Sequence, residues 1–367
     1  MENVPAFGWC VIENPKITNC IKVSDNTIEN KFFKLIFEKG KITSIYDKRN
    51  NREIVKQGHY ANEIQVFEDF PKWYDAWEIT NYYKEKMWTV DELVAKEIVS
   101  DGARAGLKQI WKYLNSTIEQ TIWLYDDIDR IDFETTVDWK QEHMLVKAAF
   151  PIDVNAREAT YDIQFGSLAR PTHENTSWDA ARFEVCAHKW ADISDNGYGV
   201  SLLNDCKYGY NAEGSILKLT LLKCATYPNP KADKEVHNFT YSLYPHKGNA
   251  YTADTIRYAY ELNQPLIAEK IGKTEGDIPD KFSLISCDND DIIIETVKKA
   301  EDSNDMVIRM YESKNMRTRA SLTFGVDFKN AYICDMLENE IEEIAAKGRT
   351  VTLDLSNFEI LTIKVKR

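Results

Sequence analysis

The stretch that decides the fold is RIDFETTVDW, residues 130–139, in which apolar and polar side chains alternate. One set of alternating positions holds Ile131, Phe133, Thr135, Val137 and Trp139, and the other holds Asp132, Glu134, Thr136 and Asp138. Successive side chains of a strand point to opposite faces of its sheet, so this pattern predicts a strand with one buried and one wet face.

Strand-like patterns recur along the whole chain. Between residues 31 and 46, two half-buried runs flank Gly40, which predicts a hairpin. Further strand-like runs cover residues 119–125, 144–150, 183–190, 216–223, 238–244, 321–326, 350–355 and 359–365. Helical patterns are confined to residues 254–262 and 338–346. Many strands and few helices predict an all-β sandwich architecture.

Composition excludes several classes of protein. The chain has 367 residues, with 46 Lys and Arg against 59 Asp and Glu, and a net charge of -13. It lacks a basic stripe with interleaved aromatic residues, so nucleic acid is not expected as a partner. The sequence contains neither a secretory signal nor an apolar run of roughly 18 residues, so no membrane span is predicted. Seven scattered cysteines without a C-x-x-C pair are typical of a reducing cytoplasm, the expected location.

The chain is predicted to contain two domains. Turn-forming and charged residues with little apolar content mark a linker at residues 263–281. The aromatic-rich residues 26–262 are predicted to form one large domain, and residues 282–367 a small β-sandwich. Residues 1–25 are too short for a domain and are interpreted as a remnant of a preceding region or a linker.

The densest cluster of aromatic and acidic residues is FEDFPKWYDAWE, residues 67–78. Pro71 cannot donate a hydrogen bond to a sheet, so this cluster is predicted to be a loop that follows a strand. Aromatic rings stack on the apolar face of sugars, and carboxylates accept their hydroxyl hydrogens. The alternative is structural, in which the rings pin a long loop onto a sheet. The candidate sugar-binding residues are Asp69, Trp73, Asp75 and Trp77.

Two further clusters contain candidate functional residues. The loop at residues 170–179 contributes His173, Asn175, Trp178 and Asp179. A histidine in such a loop can act as an acid, a base or a ligand, and it can equally be a structural hydrogen-bonding residue. The other candidate is His188, which shares a predicted strand face with Trp190. That position favours packing over catalysis.

Motifs that define a catalytic centre by themselves are missing from the sequence. The six histidines form no H-x-D, H-x-x-x-H or H-E-x-x-H pattern, so no metal site is predicted. Neither a phosphate-binding glycine loop nor a G-x-S-x-G elbow occurs. A carboxylate pair for glycoside cleavage is defined by its separation in space, which a sequence does not give. The residues alone indicate a large β-sandwich protein with a candidate sugar-binding loop.

Several long motifs run along nearly the whole chain. They are NEIQVFEDFP at 62–71, WYDAW at 73–77, RPTH at 170–173, NTSWD at 175–179, RFEV at 182–185, HKWAD at 188–192, LNDCKYG at 203–209, FTY at 239–241, PH at 245–246 and FEILTI at 358–363. Together they resemble the C-terminal β region of the α-mannosidases of glycoside hydrolase family 38. The likeness is greatest to the cytosolic and vacuolar branch and its bacterial relatives.

The resemblance implies a fold and a catalytic unit outside this chain. The fold would be a large galactose-mutarotase-like supersandwich followed by a small β-sandwich. Enzymes of this family bind zinc through His and Asp in an N-terminal domain, and an Asp nucleophile there serves a retaining mechanism. This chain lacks that domain, so no catalytic residue or metal ligand is expected within it, and zinc is expected in the full-length enzyme. The implied partners are the protein's own N-terminal catalytic domain and a mannoside substrate.

The resemblance also implies that the β region can lend a loop to the rim of the active site. The loop at residues 69–77 is the candidate. Asp75 would accept a sugar hydroxyl hydrogen, and Trp77 or Trp73 would stack on the sugar ring.

Two alternatives stay open. One is an autonomous enzyme of mutarotase or epimerase type, which needs a histidine and a glutamate that face each other. His188 or His173 with Glu184 would be the pair. The other is a non-catalytic module for carbohydrate binding or for assembly into a homo-oligomer.

Overall fold

The computed structural model describes residues 4–13, 19–272 and 276–366. The described residues form two units. The larger unit comes from Ile17–Asp162 and Leu168–Leu266, and the smaller from Met1–Lys16, Ile163–Ser167 and Ile267–Arg367. The predicted segments 1–25 and 263–281 include residues 1–3, 14–18 and 273–275, which lie outside the described residues. The predicted domain boundaries stay a prediction.

The strands, numbered in chain order, begin with β1 (Gly8–Cys10). Those that follow are β2 (Lys22–Ser24), β3 (Thr27–Glu29), β4 (Phe33–Glu38), β5 (Lys41–Asp47), β6 (Arg52–Glu53), β7 (Glu63–Glu68), β8 (Met87–Thr89), β9 (Glu92–Asp101), β10 (Arg104–Tyr113), β11 (Ser116–Tyr125), β12 (Ile131–Asp138), β13 (Met144–Pro151), β14 (Glu158–Ile163), β15 (Gly166–Pro171), β16 (Val185–Cys186), β17 (Trp190–Ser194), β18 (Tyr198–Asn204), β19 (Gly209–Glu213), β20 (Ile216–Lys223) and β21 (Val236–Lys247).

The later strands are β22 (Lys281–Ser283), β23 (Ile285–Cys287), β24 (Ile292–Lys299), β25 (Met306–Glu312), β26 (Thr318–Phe324), β27 (Asn330–Cys334), β28 (Glu340–Ile344), β29 (Ala346–Lys347), β30 (Thr350–Leu355) and β31 (Ile360–Lys366). The helices are a 3-10 turn at Asn81–Glu85, α1 (Ser177–Ala180) and α2 (Thr255–Asn263).

Three sheets build the larger unit. The nine-stranded sheet has the order β15-β14-β17-β18-β21-β12-β11-β10-β9. The six-stranded sheet is β16-β19-β20-β13-β7-β8, and the five-stranded sheet is β2-β3-β4-β5-β6. Their inner faces share one hydrophobic core, to which β12 contributes Phe133, β13 contributes Val146 and Phe150, and β4 contributes Leu35. Burial of this apolar surface is the main favourable contribution to the fold.

The smaller unit contains a four-stranded sheet, β23-β26-β30-β29, and a five-stranded sheet, β24-β25-β31-β27-β28. Its separate core includes Ile308, Leu322 and Ile363. A two-stranded sheet pairs β1 with β22. The all-β architecture predicted from the sequence is confirmed.

Residues 130–139 form the strand that their alternation predicts. The predicted inner positions Ile131, Phe133, Thr135, Val137 and Trp139 are all buried. One outer position differs, because Asp132 is buried and not wet. It accepts hydrogen bonds from Arg130 at 2.7 Å and from Ser242 at 2.6 Å, and such pairing makes a buried carboxylate tolerable. The hairpin predicted around Gly40 is confirmed, with Lys39 and Gly40 both at positive φ.

Two local predictions are wrong. Residues 338–346 were expected to be helical but form β28 and the start of β29. This Glu-rich stretch has helical propensity, but its tertiary contacts outweigh it. It pairs with β27, and Glu340 forms an ion pair with Lys366 at 2.9 Å. Residues 183–190 form only the two-residue β16 before Trp190 opens β17. Phe183 and Glu184 lie before β16 and outside any strand, and their side chains both contact Tyr83. The helix predicted at residues 254–262 is confirmed as α2.

Candidate functional site

The outer face of the six-stranded sheet carries the candidate site. On β13, Val146, Ala148 and Phe150 face the main core, so Lys147 points to the opposite side. The same alternation places other side chains of this sheet on that outer face. They are Gln65 and Phe67 on β7, Lys218 and Thr220 on β20, and Asn211 and Glu213 on β19.

Two segments cover this face. Residues 69–86 follow β7 and end in the 3-10 turn, and residues 172–184 follow β15. Tyr83 from the first segment packs with Phe67 and Leu145 in a small buried cluster, and Phe183 from the second packs against that cluster. We call residues 69–77 the aromatic loop and residues 170–179 the histidine loop.

Asp69 fixes the start of the aromatic loop. Its side chain is buried and forms an ion pair with Lys223. Its backbone N–H donates to the carbonyl of His143 at 2.8 Å. Burial raises the pKa of the Asp69 carboxyl group, although Lys223 pulls in the opposite direction. Asp69 therefore holds the loop against the sheet.

Asp75 fixes the other end of the aromatic loop. Its Oδ2 accepts hydrogen bonds from the Thr226 backbone N–H at 2.6 Å, the Thr226 hydroxyl at 3.1 Å and the Tyr227 N–H at 3.2 Å. Burial pushes the pKa of Asp75 upward, but these donors outweigh it and hold the pKa below its usual range. Oδ2 is thus occupied within the protein, and the carboxylate ties the loop to residues 226–227.

The aromatic rings of the loop divide into two groups. Phe70 stacks on the His143 ring, with a distance of 4.1 Å between ring centroids. Trp73, Tyr74 and Trp77 are exposed by 64%, 71% and 69%. Tyr74 and Trp77 meet edge to face, 6.5 Å apart. Carboxylates and Phe70 hold the loop against the sheet, while these three rings stay exposed.

The histidine loop is organised by a helix cap. Thr176 is the N-cap residue of α1. Its hydroxyl oxygen accepts a hydrogen bond from the Asp179 backbone N–H at 3.1 Å, and its hydroxyl group donates to Asp179 Oδ2 at 2.8 Å. His173 Nδ1 accepts a hydrogen bond from the Asn175 N–H at 3.4 Å and lies 3.7 Å from Asp179 Oδ2. Trp178 is exposed. The four candidates of this loop therefore lie together, with Asp179 engaged in capping.

Lys84 links the two covering segments. It stands on the 3-10 turn and forms ion pairs with Glu174, at 2.8 Å, and with Glu213. Burial would lower the pKa of Lys84, but the two carboxylates reverse that effect and raise it. The structure thus brings the aromatic loop and the histidine loop to one face of one sheet.

His188 has a different environment. Its backbone N–H donates to the carbonyl of Asp162 at 3.0 Å, and its carbonyl accepts from Asn204 at 2.7 Å. Its ring meets Tyr208 edge to face, with 6.0 Å between centroids. These contacts make His188 part of the packing around β17 and β18.

The sequence analysis did not identify the buried polar residues that lie beneath the two covering segments. Lys147 is fully buried and forms an ion pair with Glu184, which also accepts a hydrogen bond from the Tyr83 hydroxyl at 2.6 Å. Lys147 donates to Asn211 Oδ1 at 3.0 Å. Burial lowers the pKa of the Lys147 ammonium, and burial together with Glu184 raises the pKa of Tyr83. The available signal was a lysine in the middle of the apolar run MLVKAAF.

This arrangement bears on the mutarotase alternative. The hydrogen-bond partners of Glu184 are Tyr83 and Lys147, and a histidine is not among them. Among the described residues, the histidine–Glu184 pair that this alternative needs is therefore not formed by a hydrogen bond.

The described residues do not fit a metal centre. Within them, no group of three or more His, Cys, Asp or Glu side chains is arranged to hold a metal ion. Likewise, none of the helices in the described part of the chain is long and apolar enough to cross a membrane.

Comparison with protein families gives two matches. The model of the glycosyl hydrolases family 38 C-terminal domain matches residues 28–231, and that of the family 38 C-terminal beta sandwich domain matches residues 291–363. Alpha-mannosidase G of Dictyostelium discoideum is 37% identical over 93% of this chain. Human alpha-mannosidase 2C1 is 37% identical over 88% of this chain. The chain spans 32% of the length of each of these two relatives.

A solved structure has the same fold. The crystal structure of an alpha-mannosidase from Enterococcus faecalis superposes with a TM-score of 0.78 at 16% identity. The match covers 95% of this chain and 43% of that one.

Proposed function

Because this chain belongs to glycosyl hydrolase family 38, we propose that it is the C-terminal β portion of a retaining, zinc-dependent α-mannosidase that hydrolyses terminal α-mannosides. The observation that carries the proposal is the 37% identity to alpha-mannosidase G over 93% of the chain. Since the chain spans only 32% of that relative's length, residues outside it would supply the zinc ligands and the nucleophile.

The part of the reaction proposed for this chain is binding at the rim of the active site. Trp73 and Trp77 present exposed rings, and an exposed aromatic ring gains contact area when it stacks on the apolar face of a sugar. Asp69 and Asp75 hold the loop in one conformation through Lys223 and Thr226. Fixing the loop in advance lowers the entropy cost of binding. Asp75 is thus assigned to positioning the loop, and the contact with the sugar is assigned to the tryptophan rings.

The same exposed rings are proposed to face the catalytic domain across the substrate. Tyr74 and Tyr227, both more than two-thirds exposed, widen the aromatic surface. Exposed aromatic patches of this kind are typical of binding surfaces.

The experiment compares Trp73→Ala and Trp77→Ala in the complete protein. Truncation of an exposed ring leaves the fold intact, so we expect it to change kcat/KM for the substrate and not the stability of the protein. We expect kcat/KM for a mannooligosaccharide to fall about three- to tenfold for each variant, the value of one aromatic contact. Leu337→Ala, which removes an exposed side chain of the smaller unit, serves as the control. Values of kcat/KM within twofold of the parent for both tryptophan variants would reject the rim role.

A further inference from the structure

His143 lies against the aromatic loop and is held by its backbone on both sides. Its N–H donates to the carbonyl of Cys224 at 2.8 Å, and its own carbonyl accepts the Asp69 N–H at 2.8 Å. Its ring stacks on Phe70, with 4.1 Å between ring centroids. The side chain is 24% exposed, so a proton from the solvent can reach the ring.

Thr226 connects the His143 ring to Asp75 and determines which ring nitrogen carries the hydrogen. The Thr226 hydroxyl donates its single hydrogen to Asp75 Oδ2 at 3.1 Å. Its oxygen can then only accept, so His143 Nε2, which lies 3.3 Å away, is the donor. In the neutral imidazole the other nitrogen, Nδ1, therefore carries a lone pair, and it lies 3.8 Å from Asp75 Oδ1. Two acceptor atoms face each other at this point.

Protonation of His143 makes this contact attractive. The added proton goes to Nδ1, the nitrogen that faces Asp75 Oδ1. A charge-assisted N–H···O bond is about 2.8 Å long, so a side-chain movement of about 1 Å closes the gap. Burial pushes the pKa of Asp75 upward, but hydrogen bonds from residues 226 and 227 hold that pKa below its usual range. Asp75 is therefore ionised when the ring takes up its proton.

Two other carboxylates lie near the ring, and each has its own lysine. Asp69 forms an ion pair with Lys223, and Glu142 forms one with Lys234. Electrostatic attraction between the imidazolium and these two carboxylates also favours the charged ring. Because both charges are already compensated by lysine, Asp75 is the carboxylate that the imidazolium meets directly.

We propose that His143 is a positioning residue that makes the attachment of the aromatic loop depend on pH. Histidine is the side chain that ordinarily changes charge between about pH 5 and 8. At the lower end the imidazolium adds a bond to Asp75, and at the upper end Asp75 keeps only its hydrogen bonds with residues 226 and 227. This inference rests on the proposed function and deepens it, because a firmer loop presents Trp73 and Trp77 to a sugar at a lower entropy cost. Substrate binding at the rim is therefore expected to strengthen as the pH falls.

Hydrogen exchange of the backbone amides tests this inference in the complete protein, at about pH 5.5 and about pH 8. The N–H groups of Trp77 and Glu78 both donate to the Tyr74 carbonyl, so their exchange reports opening of the loop. The observed rates are divided by the intrinsic exchange rate at each pH. We expect the peptide that covers residues 69–78 to be about fivefold more protected at the lower pH, the effect of one additional hydrogen bond.

Two variants each remove one partner of this bond. His143→Asn does not titrate, and Asn tolerates the positive φ of 51° at this position. Asp75→Asn keeps the size of the side chain and removes the charge that the imidazolium meets. We expect both variants to lose the pH dependence of loop protection. His59→Asn replaces an exposed histidine that precedes β7, at the opposite end of that strand from the aromatic loop, and should retain it.

Exchange of the core strand β12, measured in the same experiment, shows whether each variant is folded. Equal protection of the parent loop at both pH values would overturn the inference, and so would a pH dependence that persists in a folded His143→Asn or Asp75→Asn protein. The rim role is tested separately by Trp73→Ala and Trp77→Ala. Unchanged kcat/KM in those two variants would reject the rim role and would leave the pH dependence of the loop as measured.

Discussion

The buried pair of Lys147 and Glu184 gives the sharpest prediction about stability. Lys147→Met keeps an unbranched side chain of similar length in the space and removes the charge. Lys147 is fully buried, and the Glu184 side chain is only 11% exposed. Removing one partner of such a pair costs about 3–5 kcal/mol, because the remaining charge is buried without compensation. Tyr83 still donates to Glu184 in this variant, so we expect about 3 kcal/mol.

Urea unfolding followed by tryptophan fluorescence measures this loss. Every tryptophan except Trp9 lies in the segments of the larger unit, so the signal reports the unit that contains the pair. The double variant Lys147→Met, Glu184→Gln removes both charges and is expected to regain stability to within about 1 kcal/mol of the parent. Lys86→Met breaks an exposed ion pair with Glu68 and should cost at most about 1 kcal/mol. A loss below about 1 kcal/mol for Lys147→Met, or no recovery in the double variant, would refute the account.

Two further predictions concern the larger unit. Burial raises the pKa of Asp162 to about 6, so its contribution to stability is complete below its unfolded pKa of about 4 and is lost as the pH rises to about 6. The loss is about 3 kcal/mol. Because Asn does not titrate, the unfolding free energy of Asp162→Asn should depend less on pH between about pH 4 and 6 than that of the parent. The same slope of unfolding free energy against pH in variant and parent would contradict this. Phe133 is fully buried and packs against Phe150 and Tyr241, so Phe133→Ala should cost about 3–5 kcal/mol in urea unfolding. A cost below about 1 kcal/mol would contradict its place in the core.

The strands were predictable where one face is buried and the other is wet. Residues 130–139 show this, because their period of two is a local property of the sequence. Asp132 broke the pattern because only part of its pairing is local. Arg130 is two residues away, whereas the hydroxyl of Ser242 lies 110 residues away. The Glu-rich residues 338–346 were read as a helix because propensity is local, whereas the pairing with β27 is not.

The loops of the candidate site were predictable from the sequence, but the buried polar residues of the sheet beneath them were not. The composition of residues 67–78 identified the aromatic loop. The role of Asp75 could not be read there, because Thr226, which engages it, lies 151 residues away. Lys147 looked like an interruption of an apolar strand, and its partner Glu184 belongs to a segment that was mistaken for a strand. Gln65, Lys147 and Thr220 come side by side only once β7, β13 and β20 are in register.

The most direct test of the central claim is turnover of an aryl α-mannoside, with zinc added, by the complete protein and by this chain alone. We expect turnover by the complete protein and none by the chain alone, since zinc and nucleophile are assigned to residues outside it. An Asp75→Ala version of the chain, purified in the same way, identifies any contaminating host glycosidase. Turnover by the chain that exceeds this background would mean that these residues build a complete active site, and it would contradict the account.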